Sequence, residues 1–306
     1  SVGYMDGVGD EALIIGITGF TQISSSTVIV VDNVNNCLRQ IDLFTRRVSH
    51  YAGVCQSEGY VDGAADQAKF HDPLSVYVNK NNNANLIVTD SGNRALREVS
   101  PIAPGVLTLM RLGQYYPLAI AWHPRNNSII YITCPCVVIT VDITSTSSGY
   151  NTLTSYCTED KSGWLAGWLF DIMFLTNNTL LLSDFWYNQL YVYDINTDTS
   201  YSICTGERDS VDGDIKTCKF SLQDFKLLAD SPIHIRNFTD NQLYIYDLKA
   251  NTSYSICIGD TDTVDEDISQ CKLISPYSLL EVNDEIYVGE LGRIRKLSGM
   301  YVIIIL

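Results

Sequence analysis

The sequence predicts an all-β protein, a six-bladed β-propeller of four-stranded antiparallel blades. Two observations support this fold class. Apolar strands, each followed by a strand in which apolar and polar residues alternate, recur at a period of about 43–58 residues. This is the range of propeller repeats. Each apolar strand is followed by a turn rich in Asp and Asn, whose side chains bond their own backbone and so favour tight turns. Helical spacing of apolar residues does not interrupt this pattern.

The copies of the repeat can be followed in chain order. The clearest begins with the apolar strand Val28–Asp32, passes through an Asn turn and resumes as the alternating strand Cys37–Asp42. The apolar strands of the later copies are Leu86–Asp90, Ile129–Thr133, Leu180–Asp184, Ile233–Asn237 and Glu285–Glu290. They predict one domain, residues 1–306, with blades at approximately 15–58, 74–114, 118–163, 168–211, 222–264 and 277–306.

An Asp-Gly loop runs in step with the strands. Its clearest copy is Gly59–Gly63, and related segments contain Asp6, Asp212 and Asp265. We expect these loops to connect neighbouring blades. Residues 1–14 would then form the closing inter-blade loop, and the two termini would meet at the junction of the sixth and first blades.

The charged residues of the repeat have a structural interpretation. Asp32, Asp90 and Asp184 stand at the end of an apolar strand, where we expect them to cap hairpin turns. Arg39 and Arg97 follow on the next strand, and we expect them to pair with neighbouring loops. None of these residues is predicted to be catalytic.

The charge of the chain argues against two classes of partner. Its formal net charge is −15, from 20 basic and 35 acidic residues. Such a surface is repelled by a nucleic-acid backbone and by an anionic membrane. No apolar run in the sequence reaches the roughly 18–20 residues that span a bilayer. We therefore expect neither a nucleic-acid partner nor a membrane span.

Cysteines and glycosylation sequons together indicate an extracellular location, either secreted or on the cell surface. The chain has nine cysteines, a number typical of disulfide-bonded secreted proteins. It also has Asn-x-Ser/Thr sequons at Asn126, Asn177, Asn237 and Asn251. We expect a processed, secreted glycoprotein that carries attached glycans.

Two disulfides are predicted from repeated spacing. Cys204 and Cys218 are 14 positions apart, and Cys257 and Cys271 repeat that separation in the following copy. Equal spacing in tandem copies predicts the matching loop disulfides Cys204–Cys218 and Cys257–Cys271.

The other five cysteines fall in turns and loops that a propeller places on one face. We expect a Cys37–Cys55 disulfide, and a second between Cys157 and either Cys134 or Cys136. One thiol remains, which is either buried and idle or bonded to another chain.

The two motifs resemble those of the NHL-repeat family of six-bladed propellers. Asp-x-x-Asn-x-x-Leu-Arg, Gly-Tyr-x-Asp-Gly and Ala-x-Phe-x-x-Pro stand nearly intact between Val28 and Arg97. The resemblance implies a secreted member with the same fold. The family contains protein-interaction and RNA-binding modules, extracellular modules of larger chains, and a lyase that completes peptide amidation. RNA-binding members use a basic face, whereas this chain is acidic. The lyase needs several histidines around its channel, and the histidines of this chain are His50, His71, His123 and His234.

An active site is the alternative hypothesis. Six-bladed hydrolases and lactonases hold a metal ion in the central channel with acidic and Asn side chains. Among the predicted inner strands, Asp171 and Asp224 are the acidic residues, and they are weak candidates for a metal-dependent hydrolase or lyase. The acidic segment Asp260–Asp267 could hold calcium, although it lacks the Gly and terminal Glu of a helical calcium loop. We expect no cofactor and no catalytic residue.

A recognition or building-block role is the favoured hypothesis. Aromatic residues suited to recognition surfaces are Tyr115, Tyr116, Trp164, Trp168, Trp186 and Tyr187. The C-terminal strand Tyr301–Leu306 is apolar, and a bare apolar edge strand invites a covering partner. The predicted function is a non-enzymatic extracellular propeller that binds other protein chains, or copies of itself, in a surface or matrix assembly such as a fibre.

Overall fold

The computed structural model describes most of the chain in detail. The described residues are 3–102, 105–145, 149–155, 158–159, 165–166, 169–184, 189–203, 222–227, 233–237, 242–247, 252–256, 273, 278–283, 285–290, 293–298 and 301–304. They fall into two compact units: residues 1–116 with 256–306, and residues 117–255.

Antiparallel sheets make up the first unit. Its first sheet has the strand order β1-β5-β4-β3-β2, from β1 (Gly7–Val8), β2 (Ile17–Gln22), β3 (Thr27–Asp32), β4 (Cys37–Asp42) and β5 (Arg47–Ala52). The next sheet contains β6 (Pro73–Val78), β7 (Leu86–Asp90), β8 (Ala95–Val99) and β9 (Val106–Arg111) in sequence order. The last contains β24 (Ser278–Val282), β25 (Glu285–Glu290), β26 (Arg293–Ser298) and β27 (Tyr301–Ile304). A 3-10 turn, Gly9–Glu11, follows β1.

The second unit repeats the same up-and-down arrangement. Its first sheet contains β10 (Ile120–Trp122), β11 (Ile129–Cys134), β12 (Val137–Asp142) and β13 (Tyr150–Ser155). The next contains β16 (Leu169–Phe174), β17 (Thr179–Asp184), β18 (Gln189–Asp194) and β19 (Thr199–Ile203). Another contains β20 (Leu222–Leu227), β21 (Ile233–Asn237), β22 (Gln242–Asp247) and β23 (Thr252–Ile256). A two-stranded sheet of β14 (Thr158–Glu159) and β15 (Leu165–Ala166) lies between the first two in sequence.

The prediction of a six-bladed propeller of four-stranded blades is wrong. Across the described residues, five sheets have four strands, one has five, and one has two. The difference arises partly in the segment 1–14, which was expected to be only a closing loop. Gly7 and Val8 are extended and pair antiparallel with Val48 and Arg47, so β1 covers the outer edge of β5. The strands β14 and β15 form an additional two-stranded sheet, which the predicted repeat does not contain.

Strand β3 shows how the first unit is packed. It is an almost continuous apolar run, as expected of a strand that is covered on both faces. Because side chains alternate, Val28 and Val30 pack with residues of the last sheet, whereas Ile29 and Val31 pack with those of the β6–β9 sheet. Both sets of packed residues belong to the first unit. Its first and last sheets are also joined by a hydrogen bond of 2.8 Å from the Ser278 hydroxyl to the Ile17 carbonyl.

The core of the second unit is built in the same way from β10–β13 and β16–β19. Leu169, Leu180 and Leu182 pack with Ala121 and Val138 in one buried cluster. Within the described part of the chain, no helix has the length and apolar character needed to span a bilayer.

Two hairpins of the second unit have almost the same sequence. The segments 189–203 and 242–256, which form β18–β19 and β22–β23, are identical at ten of fifteen positions and share the ending Thr-Ser-Tyr-Ser-Ile. In β19 the first four residues of this ending are exposed.

Candidate functional site

A buried polar network lies at the hairpin that joins β3 to β4. The Asp32 carboxylate accepts hydrogen bonds from the Ile15 backbone N–H at 3.2 Å and from the Asn35 amide at 2.9 Å. It also accepts from Arg39 Nη1 at 3.2 Å, and both charged side chains are fully buried. Asp32 thus binds the turn residue Asn35, which confirms the prediction that Asp32 caps this hairpin turn.

Arg39 extends this network to the N-terminal loop. Its Nη2 donates to the Met5 carbonyl at 3.0 Å and to Asp6 Oδ1 at 2.6 Å, while the Tyr4 ring lies 4.4 Å from the guanidinium carbon. The predicted pairing of Arg39 with a neighbouring loop is confirmed. A single side chain therefore connects the hairpin to the loop that precedes its own sheet.

The next sheet repeats the network almost atom for atom. Arg97 Nη1 donates to Asp90 at 2.6 Å, and its Nη2 donates to the Val61 carbonyl at 2.9 Å and to Asp62 at 2.6 Å. The Tyr60 ring lies 4.9 Å from the Arg97 guanidinium carbon. Burial raises the pKa of both Asp32 and Asp90, and the bonds from asparagine, backbone and arginine oppose this rise. These charges hold loops in place and are enclosed by the fold.

Other hairpins fill the same two positions differently. By strand register, the Asp32 and Arg39 positions are occupied by Cys134 and Ile139 in the β11–β12 hairpin. They are occupied by Asp184 and Tyr191 in the β17–β18 hairpin, and Asp184 is buried. In the β25–β26 hairpin they are occupied by Glu290 and Arg295, whose side chains are 3.0 Å apart and fully buried.

The structure establishes part of the cysteine pairing. Cys37 and Cys55 form a disulfide, which confirms that prediction. Of the two alternatives for the next pair, Cys136 is disulfide-bonded, whereas Cys134 is a free, buried thiol. Burial raises the pKa of Cys134 to about 12, so this thiol is protonated and unreactive in the folded chain. Cys157, Cys204, Cys218, Cys257 and Cys271 lie outside the described residues.

The weak metal candidates lie on the first strands of two sheets. Asp171 occupies a bulge of β16, where its backbone N–H donates to the Ser183 hydroxyl at 2.9 Å and its carboxylate accepts from the Ile172 N–H at 2.8 Å. Asp224 is paired in register with Arg236 next to the corresponding bulge of β20. Among the residues that the structure describes, no group of three His, Cys, Asp or Glu side chains is arranged to hold a metal ion. The acidic segment Asp260–Asp267 lies outside them.

The sequons occupy different environments. Asn126 is exposed in the loop between β10 and β11, where its side-chain oxygen accepts a hydrogen bond from the Ser128 N–H at 2.9 Å. Asn177 is half-buried in the β16–β17 hairpin, and Asn237 is the last residue of β21. Asn251 lies outside the described residues. Asn126 therefore has the most accessible amide among those described.

Few of the predicted recognition aromatics are described. Tyr115 and Tyr116 follow β9, and Tyr116 is 40% exposed. Trp164, Trp168, Trp186 and Tyr187 lie outside the described residues, and the side chains of Tyr301–Ile304 are likewise not described. Among the side chains that the structure describes, the most exposed large apolar ones are Phe44 at 89% and Ile102 at 73%, both at hairpin tips, and Tyr201 of β19 at 63%.

Two exposed contacts between an arginine and a tyrosine, which the sequence did not indicate, lie at the β8–β9 sheet. One joins Arg94 with Tyr116, and the other joins Arg111 with Tyr60. The Arg94 guanidinium carbon lies 4.4 Å from the Tyr116 ring centre, and Arg111 lies 4.4 Å from that of Tyr60. Arg94 also donates a hydrogen bond to the Tyr116 hydroxyl. Both arginines are exposed.

One signal in the sequence could have pointed to the Arg94–Tyr116 contact. Arg94 stands four residues after Asp90, where the first copy of the repeat has Asn36 four residues after Asp32. Both residues have a left-handed backbone, with φ of 53° and 55° respectively. Asn36 uses its side chain structurally and accepts a hydrogen bond of 2.8 Å from the Asp72 N–H. The arginine at this position is a departure from the repeat.

Comparison with solved structures identifies the fold. A Bacteroides thetaiotaomicron protein of unknown function is 13% identical, with a TM-score of 0.75 over 99% of this chain and 73% of its own. An auxiliary nutrient binding protein of the same organism is 16% identical, with a TM-score of 0.73 over 98% and 72%. Virginiamycin B lyase from Staphylococcus aureus is 10% identical, with a TM-score of 0.57 over 95% and 84%.

These structures are β-propellers, and the chain shares their all-β propeller fold. At such low identity the likeness extends to the fold alone. No protein-family profile matches the chain, and no curated relative matches it. Membership of the NHL-repeat family therefore stays a prediction.

Proposed function

We propose that this chain is a non-enzymatic, extracellular binding propeller, glycosylated, that serves as a building block of a surface or matrix assembly such as a fibre. The observation that carries the proposal is the burial of the charged residues that recur in the repeat. Asp32, Arg39, Asp90 and Arg97 are fully buried and bonded to the chain itself. Among the described residues, the large apolar side chains of Phe44, Ile102 and Tyr201 are exposed and available for binding.

An extracellular location is supported by two observations. The Cys37–Cys55 disulfide is of a kind that persists in oxidising compartments. The exposed sequon at Asn126 offers an accessible site for a glycan. The structural neighbours include an auxiliary nutrient binding protein, which is a binding protein with the same fold.

Assembly is supported by the exposed apolar side chains and by an open sheet edge. Phe44 is held at the tip of the β4–β5 hairpin because Asp42 accepts hydrogen bonds from the N–H groups of Phe44 and Thr45, at 3.0 and 2.7 Å. At 89% exposure it is a fixed apolar contact for another chain. Strand β19 adds an edge with four exposed, uncharged residues, and such an edge can pair with a further strand.

Static and dynamic light scattering on the intact glycoprotein test the proposal. We expect a particle larger than one chain that is unaffected by EDTA. Phe44→Ser should reduce its mass, whereas Thr45→Ser, at the neighbouring exposed position, should not. A monomer at all concentrations would contradict the assembly.

The same samples test the alternative of a metal-dependent hydrolase or lyase, which the lyase neighbour favours only through its fold. Metal analysis by mass spectrometry should find no stoichiometric divalent ion. A bound ion that is lost in Asp171→Asn would instead support an enzyme and overturn the proposal.

A further inference from the structure

We propose that β19 pairs edge to edge, in the antiparallel direction, with β19 of a second copy of this chain. Tyr201 faces its own counterpart across a two-fold axis, and two four-stranded sheets join into one continuous sheet. The inference rests on the proposed function, because it names the partner and the register of one contact in the assembly.

Two outer strands of the first unit show how this fold satisfies a sheet edge. In β5, Val48 is paired with Gly7 of β1, and the His50 N–H donates to the Asp6 carboxylate at 3.2 Å. The loop Gly59–Gly63 covers the edge of β9 in the same way. On these two strands, the outward-facing N–H groups are therefore bonded within the chain.

Within the described residues, β19 has the same outward-facing groups but no covering strand. The β4–β5 and β18–β19 turns have the same length, so Ser200 and Ser202 occupy the positions of Val48 and His50. The residues Thr199–Ser202 are exposed on both faces of the strand. The segment 156–168, which precedes this sheet, contains no Asp-Gly pair. The N–H and C=O groups of the two serines thus face away from β18 toward solvent.

The register of β19 is more regular than that of the comparable outer strands. Each of β5, β9 and β13 pairs with the adjacent strand of its sheet through a shift of register. Such irregularities bend an edge strand and hinder its pairing with another chain. The pairing of β19 with β18 is continuous from Thr199 to Ile203, which leaves a regular edge for a further strand.

The sequence of β19 selects a copy of itself as the partner. Ser-Tyr-Ser reads the same in both directions, so antiparallel pairing centred on Tyr201 places Ser200 of each copy opposite Ser202 of the other. The outward-facing N–H and C=O groups of both serines are then hydrogen-bonded. Because Thr199–Ser202 carry no charge, two chains of net charge −15 meet along this edge without like charges directly opposite.

Tyr201 provides the side-chain contact. Its side chain is 63% exposed in the single chain. At the centre of the proposed pairing it forms a non-hydrogen-bonded pair, in which opposite Cα atoms are about 4.5 Å apart and the side chains lie close together on one face. Aromatic pairs in this arrangement stabilise a sheet, and they remove apolar surface from water.

Cysteine cross-linking of the intact chain tests the register. On mild oxidation, Tyr201→Cys should form a disulfide-linked dimer above the level of the parent chain, because a Cα separation of about 4.5 Å lies within the range of disulfides. Ser49→Cys, at the same position on the covered edge of β5, should not. Non-reducing gels measure both. Absence of the Tyr201→Cys dimer, or equal cross-linking of Ser49→Cys, would overturn the inference.

A proline at position 202 tests the hydrogen bonds. Ser202→Pro removes an N–H that faces away from β18, so the sheet keeps its own bonds, and thermal unfolding shows that the variant is folded. The dissociation constant of the dimer, measured by analytical ultracentrifugation, should rise by roughly tenfold or more, because the symmetry removes a hydrogen bond from each copy. Ser202→Ala keeps the N–H and should leave the constant unchanged. Equal constants for the parent and Ser202→Pro would contradict the pairing.

Failure of this inference differs from failure of the proposed function. An assembly that is unchanged in Ser202→Pro and lost in Phe44→Ser would overturn the β19 pairing and leave the assembly standing. A dimer that survives Phe44→Ser and is lost in Ser202→Pro would support the pairing. A parent chain that is monomeric at all concentrations contradicts the assembly itself, and this result is obtained before any variant is made.

Discussion

Arg39 and Arg97 are charged and fully buried, and they are tolerated there because both terminal nitrogens of each guanidinium are hydrogen-bonded. Each guanidinium binds a buried aspartate, a loop aspartate and backbone carbonyls, and each faces a tyrosine ring. Removing one partner from such a set leaves a buried charge uncompensated, which costs more than the pair itself contributes.

Replacement of Arg97 by methionine tests this argument. We expect Arg97→Met to lower the free energy of unfolding by about 3–5 kcal/mol, because Asp90 would remain buried without its cation. Urea denaturation measures the loss, and the exposed Arg47→Met should change stability by less than about 0.5 kcal/mol.

A double variant that copies the β11–β12 hairpin refines the test. Asp90→Cys combined with Arg97→Ile should be more stable than Arg97→Met, because Cys134 and Ile139 occupy these positions without charge. The double variant should regain only part of the stability that Arg97→Met loses, since the Val61 and Lys69 carbonyls still lack their donor. A double variant less stable than Arg97→Met would contradict the uncompensated-charge argument.

Acid sensitivity should depend on Asp62. Burial alone would raise the pKa of this carboxyl, but hydrogen bonds from Thr108 and Arg97 outweigh it and lower the pKa. A lowered pKa in the folded state contributes stability above the usual aspartate value of about 4, and the contribution is lost as the pH falls through the folded value. Asp32 and Asp90 act in the opposite direction, because burial raises their pKa.

We therefore expect Asp62→Asn to be less stable than the parent at neutral pH and to lose less stability on acidification. Unfolding free energies measured between pH 7 and pH 3 provide the comparison, with the exposed Asp66→Asn as the control. Parallel pH profiles of the parent and Asp62→Asn would show that this carboxyl does not contribute.

At the scale of elements, the approach of neighbouring sheets depends on residues without side chains. Gly289 of β25 lies against Phe20, and a Cβ atom at this position would stand 2.6 Å from two carbons of the Phe20 ring and 2.7 Å from the Ser278 hydroxyl. Both neighbours belong to the packing between the first and last sheets of the first unit. This glycine therefore sets the distance between the two sheets.

Gly289→Ala should destabilise the protein by about 1–3 kcal/mol, the usual cost of overpacking a filled core. Thermal unfolding measures it, and Gly149→Ala, where an added Cβ meets nothing within 4 Å, is the matched control. Equal unfolding temperatures for the two variants would mean that the sheets can separate without cost.

The sequence predicts the strands and turns better than it predicts which strand covers the edge of a sheet. The strands and hairpin turns follow from apolar alternation and Asp/Asn positions, as at Val28–Asp32 and Leu86–Asp90. Strand β1 was missed because two residues, Gly7 and Val8, show no periodicity, and their pairing is decided by the free edge of β5. The Arg94–Tyr116 and Arg111–Tyr60 contacts were missed because each joins residues from separate segments that meet only in the folded chain.

At the scale of the whole molecule, electrostatic repulsion opposes self-association. All copies carry a net charge of −15, and salt screens repulsion beyond about 10 Å at 0.1 M ionic strength. If apolar contacts such as Phe44 drive assembly, the assembled fraction should rise between about 0.02 M and about 0.3 M NaCl. Light scattering measures this fraction. A fall with added salt would indicate ion pairs between chains instead.

The near-identical β18–β19 and β22–β23 hairpins have a consequence for how the chain reaches its fold. A strand such as β17 or β21 that searches for its partner meets two segments with the same alternating pattern and the same ending, 53 residues apart. Mispaired or exchanged hairpins are a characteristic failure of repeat proteins. Renaturation yield should consequently fall as protein concentration rises, and variation in the interior of one hairpin would help each strand to distinguish its neighbour from the copy.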